Sequence, residues 1–77
     1  MIETKHRVTI VETGDDRLTL EIDGKTVSAE WGELSPRLAK APQVAREAIE
    51  ISPAGYGLHW PLVDEDLSID GILRDFA

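Results

Sequence analysis

Two histidines, one tyrosine, two tryptophans and a tail crowded with carboxylates are the groups of this chain that could do chemistry. His59 keeps the densest company, with Tyr56 just before it and the run Asp64-Glu65-Asp66 just after. An imidazole beside a carboxylate is the pairing of a general base. A base also needs a nucleophile or a second acid within reach, and this spacing fixes no such geometry. His59 therefore reads as a surface or interface residue, with catalysis the lesser alternative. His6 and His59 are too few to build a structural zinc site in a chain without cysteine.

Oxygen ligands are more plentiful. Asp64, Asp66, Ser68, Asp70 and Asp75 fall at positions 1, 3, 5, 7 and 12 of a calcium-loop frame. Position 6 of that frame needs glycine and holds Ile69, and position 12 holds a short Asp75 where glutamate belongs. A helix cap at Ser68 explains the same residues more simply, so neither metal nor cofactor is expected. Phosphate-cradling glycine loops, nucleophile elbows and nucleic-acid signatures are absent.

The remaining candidates are recognition groups. Tyr56 lies in a glycine-flanked loop, which makes it the best single candidate for an exposed aromatic anchor. Trp31 and Trp60 fall in line with core positions on their strands. The alternative is an interface role, because a small domain has little room to enclose two indoles. Asp64-Glu65-Asp66 reads either as a solvated loop or as a docking patch for a basic partner.

Alternating residues place these groups on a small sheet. Val8 and Ile10, then Leu18, Leu20 and Ile22, then Val27, Ala29 and Trp31 recur with period two, separated by Gly14-Asp15-Asp16 and Asp23-Gly24. Asp-Gly suits a two-residue hairpin with positive φ. Three strands in an antiparallel meander follow. Ser35-Pro36 opens a helix, serine capping and proline tolerated at the first turn. Leu34 and Leu38 stand four apart, as on one helical face. Ala41-Pro42 interrupts, and Gln43 to Glu47 restarts, giving two short helices or one broken one. Ile49 and Ile51 begin a second hairpin, turned by Ser52-Pro53-Ala54-Gly55-Tyr56-Gly57 and returning through Leu58 and Trp60 until Pro61 stops pairing. Ser68 then caps a C-terminal helix over Ile69 to Asp75, with Leu67 and Ile72 as a hydrophobic staple and Asp70 in the first turn. The expected class is α+β, ordered βββ-α-ββ-α, as a single domain over residues 1–77.

Bulk properties narrow the function further. Net charge is −7. It is uneven: residues 1–40 carry six basic against eight acidic groups, and residues 41–77 carry two against seven. Such a surface repels phosphate backbones, so direct nucleic-acid binding is not expected. It either keeps a small protein in solution or draws in a basic partner. A domain this small is marginally stable and has no disulfide, so a partner or a second copy would reinforce it. No stretch reaches the roughly 20 apolar residues of a membrane span. The N-terminal Met-Ile-Glu-Thr-Lys-His-Arg lacks the apolar core of a signal peptide. A cytoplasmic protein is the expectation.

The tail from Gly55-Tyr56-Gly57-Leu58-His59-Trp60-Pro61 through the run Asp64-Glu65-Asp66-Leu67-Ser68 to the ending Gly71-Ile72-Leu73 resembles the signature of a bacterial family, domain of unknown function 2442. The stretch Trp31-Gly32-Glu33-Leu34-Ser35-Pro36-Arg37-Leu38 is similar to that family's Trp-Phe-Pro-Arg-Leu, with two extra residues between tryptophan and proline. The resemblance implies a small α+β protein. Some members are fused to a helix-turn-helix domain, and many are encoded beside another small protein in pairs resembling toxin–antitoxin modules. Acidity here would suit the neutralising partner, since many small toxins are basic. No catalytic residue carries over. Tyr56, His59, Trp60, Asp64, Asp66 and Ser68 carry over as structural or interface residues. With Glu65, the first five define the candidate interaction surface. The expected function is an acidic protein-interaction domain, the antitoxin-like partner of a protein encoded nearby. The alternative is a homodimeric regulatory or sensory domain, and an enzyme using His59 ranks below both.

Overall fold

A computed structural model describes residues 5–77. Of the charged N-terminal segment, residues 1–4 lie outside the described residues. Strands β1 (Val8–Thr13), β2 (Arg17–Ile22) and β3 (Lys25–Glu30) form the antiparallel meander. Period-two alternation puts Leu18, Leu20 and Ile22 on one face, opposite Val27 and Ala29, and all five are buried. Asp23 and Gly24 both take positive φ, 51° and 86°, as the two-residue hairpin requires. A bulge between Ile10 and Glu12 drops Val11 from the pairing and leaves it exposed.

The third strand stops one residue earlier than its alternation suggests. Trp31 opens α1 (Trp31–Leu34), a single turn boxed by reciprocal bonds between Glu30 and Glu33. Ser35 is then extended and caps α2 (Pro36–Lys40), its hydroxyl accepting from the Arg37 and Leu38 amides at 3.1 and 3.3 Å. Leu34 and Leu38 therefore sit on different helices, not four apart on one. The cause is local: a proline cannot follow a helical residue without a clash, so the chain must extend at Ser35. After Ala41-Pro42 comes α3 (Gln43–Glu47), as the interrupted pattern predicts.

The second sheet holds the larger departure. Strands β4 (Glu50–Ile51), β5 (Gly57–Trp60) and β6 (Glu65–Ser68) pair in that order, so the expected hairpin is a three-stranded sheet. The acidic run read as a loop or patch supplies part of β6. Aspartate and glutamate are poor strand formers. Here the register set by the four-residue turn after Trp60 places Asp66 on the solvent face and Leu67 on the core side. Ser68 caps α4 (Ile69–Phe76), its Oγ accepting from the Gly71 amide at 2.9 Å. The staple holds as well, since Leu67 and Ile72 both pack into the core.

That core joins the inner faces of both sheets with Leu38 of α2 and Ile69 and Ile72 of α4. At its centre Trp31 and Trp60 meet edge to face, ring centroids 6.4 Å apart at 83°. Each indole N–H finds a carbonyl, Gly14 at 2.9 Å and Arg46 at 3.1 Å. The Arg46 guanidinium covers the Trp31 ring and donates to the carbonyls of Leu38, Ala39 and Asp15. No described helix is long and apolar enough to cross a membrane.

Candidate functional site

Because Leu58 and Trp60 point inward on β5, His59 between them points out. Register then lines up a row across the sheet. Glu50 of β4 lies opposite His59, and Asp66 of β6 lies opposite it on the other side. His59 Nδ1 and Asp66 Oδ1 are 2.7 Å apart, with the imidazole 35% and the carboxylate 75% exposed. Beside this pair opens a hollow of about 300 Å³ lined by Ser52, Tyr56, Gly57, His59, Asp66 and Ser68, among others. Tyr56 stands at its edge, 57% exposed.

Three of the six residues singled out from sequence thus share one surface: Tyr56, His59 and Asp66. The other three separate from them. Trp60 is fully buried and belongs to the core, which corrects its place among interaction residues. Glu65 faces inward from the position opposite Trp60, and its carboxylate accepts the hydroxyl hydrogen of buried Ser35. That bond ties β6 to the start of α2, so Glu65 holds structure together. Asp64 occupies a left-handed turn position, φ 52°, with its carbonyl bound by Arg37 at 2.8 Å. Asp66 bonds His59 and Asp70 bonds His6, so the calcium frame is drawn out along a strand and a helix. Among the described residues no His/Asp/Glu group converges on a cation position.

A second histidine centre went unseen in the sequence. His6 lies between Asp23 in the β2–β3 turn and Asp70 in the first turn of α4, at 2.6 Å through Nδ1 and 2.7 Å through Nε2. Its side chain is only 11% exposed. Two carboxylates on opposite nitrogens require both nitrogens to donate, which only the imidazolium can do. The Asp23 bond, then the Asp70 bond, accordingly raise the His6 pKa above its ordinary 6.5. Asp23 is held below the usual carboxylate range by the Arg7 amide and then by His6, and Asp70 is lowered chiefly by His6. The partners are 17 and 64 residues away in sequence, and no local pattern signals such contacts.

The backbone on either side of His6 is held too. Ala54 takes a left-handed φ of 66°, a strain of roughly 1 kcal/mol or more for a residue with a Cβ. In return its carbonyl accepts both the Lys5 amide at 2.7 Å and the His6 amide at 3.2 Å. Next to it Gly55, φ 72°, is pressed so close that a Cβ would sit 2.0 Å from the His6 carbonyl oxygen. The segment before β1 is thereby locked under the loop that carries Tyr56.

Comparison with known proteins agrees with this fold. Residues 8–77 match the family described as "Protein of unknown function (DUF2442)". A crystal structure of a protein of unknown function from Rhodospirillum rubrum superposes with a TM-score of 0.73 at 29% identity, covering 91% of this chain and 87% of that one. No curated protein matches. The chain belongs to the DUF2442 family.

Proposed function

We propose, taking that membership as the premise, that this domain binds a protein and docks through the outer face of its second sheet. The observation that supports the reading is the gathering of Tyr56, His59 and Asp66 around one open hollow on a rigid strand pair. An exposed tyrosine supplies contact area at small entropic cost, and the flanking Glu50 and Asp66 supply charge for a basic partner. The partner in this reading is a small basic protein encoded nearby, with the domain covering it in an antitoxin-like manner. The excess of acid over base in residues 41–77 would steer the encounter.

The enzyme reading draws less support. The hollow is open, and the Asp66 carboxylate beside His59 is 75% exposed, so water is not excluded from the pair. A homodimer formed edge to edge on β1 would have to pair across the bulge at Val11, which interrupts an added strand.

The test is co-purification and calorimetry with the product of the adjacent gene. A complex is expected whose affinity falls with salt and falls at least about tenfold on Tyr56→Ala, a hot-spot-sized loss. No complex, or one indifferent to Tyr56→Ala and Asp66→Asn together, would sink the reading.

A further inference from the structure

The acidic character of the chain is broken in one place. Residues 36–46, which take in α2 and all of α3 except its last residue, Glu47, carry Arg37, Lys40 and Arg46 and not one acidic group, in a chain with 8 basic and 15 acidic residues. Arg46 is spent on three carbonyls and the Trp31 ring, but Arg37 and Lys40 are exposed. Between them lies a mostly apolar groove of about 430 Å³, lined by Pro36, Arg37, Lys40, Ala41, Pro42 and Val63. Val44, just past Pro42, and Leu62, next to Val63, add side chains that are 67% and 62% exposed.

The groove is built rather than incidental. Arg37 donates through one nitrogen to the Val63 and Asp64 carbonyls at 3.3 and 2.8 Å, which fixes the 61–64 turn against α2. Neither Arg37 nor Lys40 forms an ion pair among the described residues. Two unpaired cations flanking an apolar slot fit a ligand of the opposite pattern.

We infer that this α2–α3 groove is a second docking site, distinct from the face that carries His59, and that it takes an acidic peptide segment anchored by a bulky apolar side chain. A second copy of the chain is a poor occupant. Symmetric packing of this face on itself would set Arg37 and Lys40 against their own images, and head-to-tail packing on the acidic face would build a ring or a filament rather than a simple pair. Nucleic acid is disfavoured by the surrounding negative charge.

The test is selection from a library of short random peptides on the intact domain, with synthetic versions of the winners measured by fluorescence anisotropy. Enriched sequences should combine Asp or Glu with Leu, Ile, Phe or Trp. Their affinity should fall about tenfold on Lys40→Glu, the scale of losing a close charge pair, and stay unchanged on Lys25→Glu in β3. Leu62→Ser should weaken the same peptides without reversing their charge preference. Absence of enrichment, enrichment of basic sequences, or equal binding to Lys40→Glu would each overturn the inference. So would a labelled oligonucleotide that binds in a Lys40-dependent way. Tyr56→Ala should leave these peptides bound, which separates failure here from failure of the partner face.

Discussion

His6 meets a carboxylate on each side, 2.6 Å to Asp23 and 2.7 Å to Asp70, whereas His59 meets one, Asp66, at 2.7 Å. The first ring is nearly enclosed and joins three distant parts of the chain: the segment before β1, the β2–β3 turn and α4. The second sits on an open strand pair whose backbone is already held by sheet hydrogen bonds. Identical side-chain chemistry therefore does different work. Around His6 the ion pairs add to two backbone bonds at Ala54 and tie that segment to the β2–β3 turn and α4. Around His59 order is in place beforehand, and the pair is left open to solvent.

The sharpest way to break this contrast is through the glycine pressed against His6. Gly55→Ala puts a methyl group 2.0 Å from the His6 carbonyl at φ 72°. It should lower stability by about 1–3 kcal/mol from backbone strain alone, with more as residues 5–6 are pushed off the loop. Urea denaturation would measure it. A loss no larger than a typical surface substitution would show that the segment is not held as described.

Next in size is the response to pH. The His6 pKa is raised in the folded state, so its contribution is full below the unfolded value of about 6.5 and fades as pH climbs through the folded value. Asp23 and Asp70 are lowered, so theirs is full above about 3.8 and is lost as pH drops through their folded values. The clamp should be strongest in mildly acidic solution. The gap in urea midpoint between wild type and His6→Gln should be widest near pH 5–6 and narrow toward pH 9. A gap that ignores pH would mean His6 acts through packing.

The smallest expected effect completes the comparison. His59→Ala should shift stability by no more than about 0.5 kcal/mol, as exposed substitutions do, while weakening partner binding. If it unfolds the domain, His59 is structural and the division of labour between the two histidines is wrong.

What was legible in the sequence follows from how local each cause is. The meander, the Asp23-Gly24 hairpin, the Ser35 and Ser68 caps and the break at Pro42 rest on neighbours within a few residues, and all stand in the structure. β6 leaves no signal in the sequence, because its stabilising partners are backbone groups of β5 and its own run of acids has low strand preference. Trp31 reads as a strand residue because its alternation with Val27 and Ala29 continues past the point where Glu30 and Glu33 box off a helical turn. Of the site, period-two reasoning turns His59 outward and the turn exposes Tyr56, whereas Asp66 joins them only through the β5–β6 pairing. Glu65 could not be assigned, since which way it faces depends on a register set across the sheet. The His6 clamp leaves no trace in any window, because its three members meet only after both sheets and α4 are assembled.

The crossed indoles at the heart of the molecule give it built-in optics. Both tryptophans of the chain sit there at 6.4 Å, and the only tyrosine stands outside at the candidate partner face. Ultraviolet emission excited in the indole band will therefore report the interior alone, and circular dichroism should carry the coupled signature of two perpendicular chromophores. Unfolding can therefore be followed in a cuvette without attaching any dye.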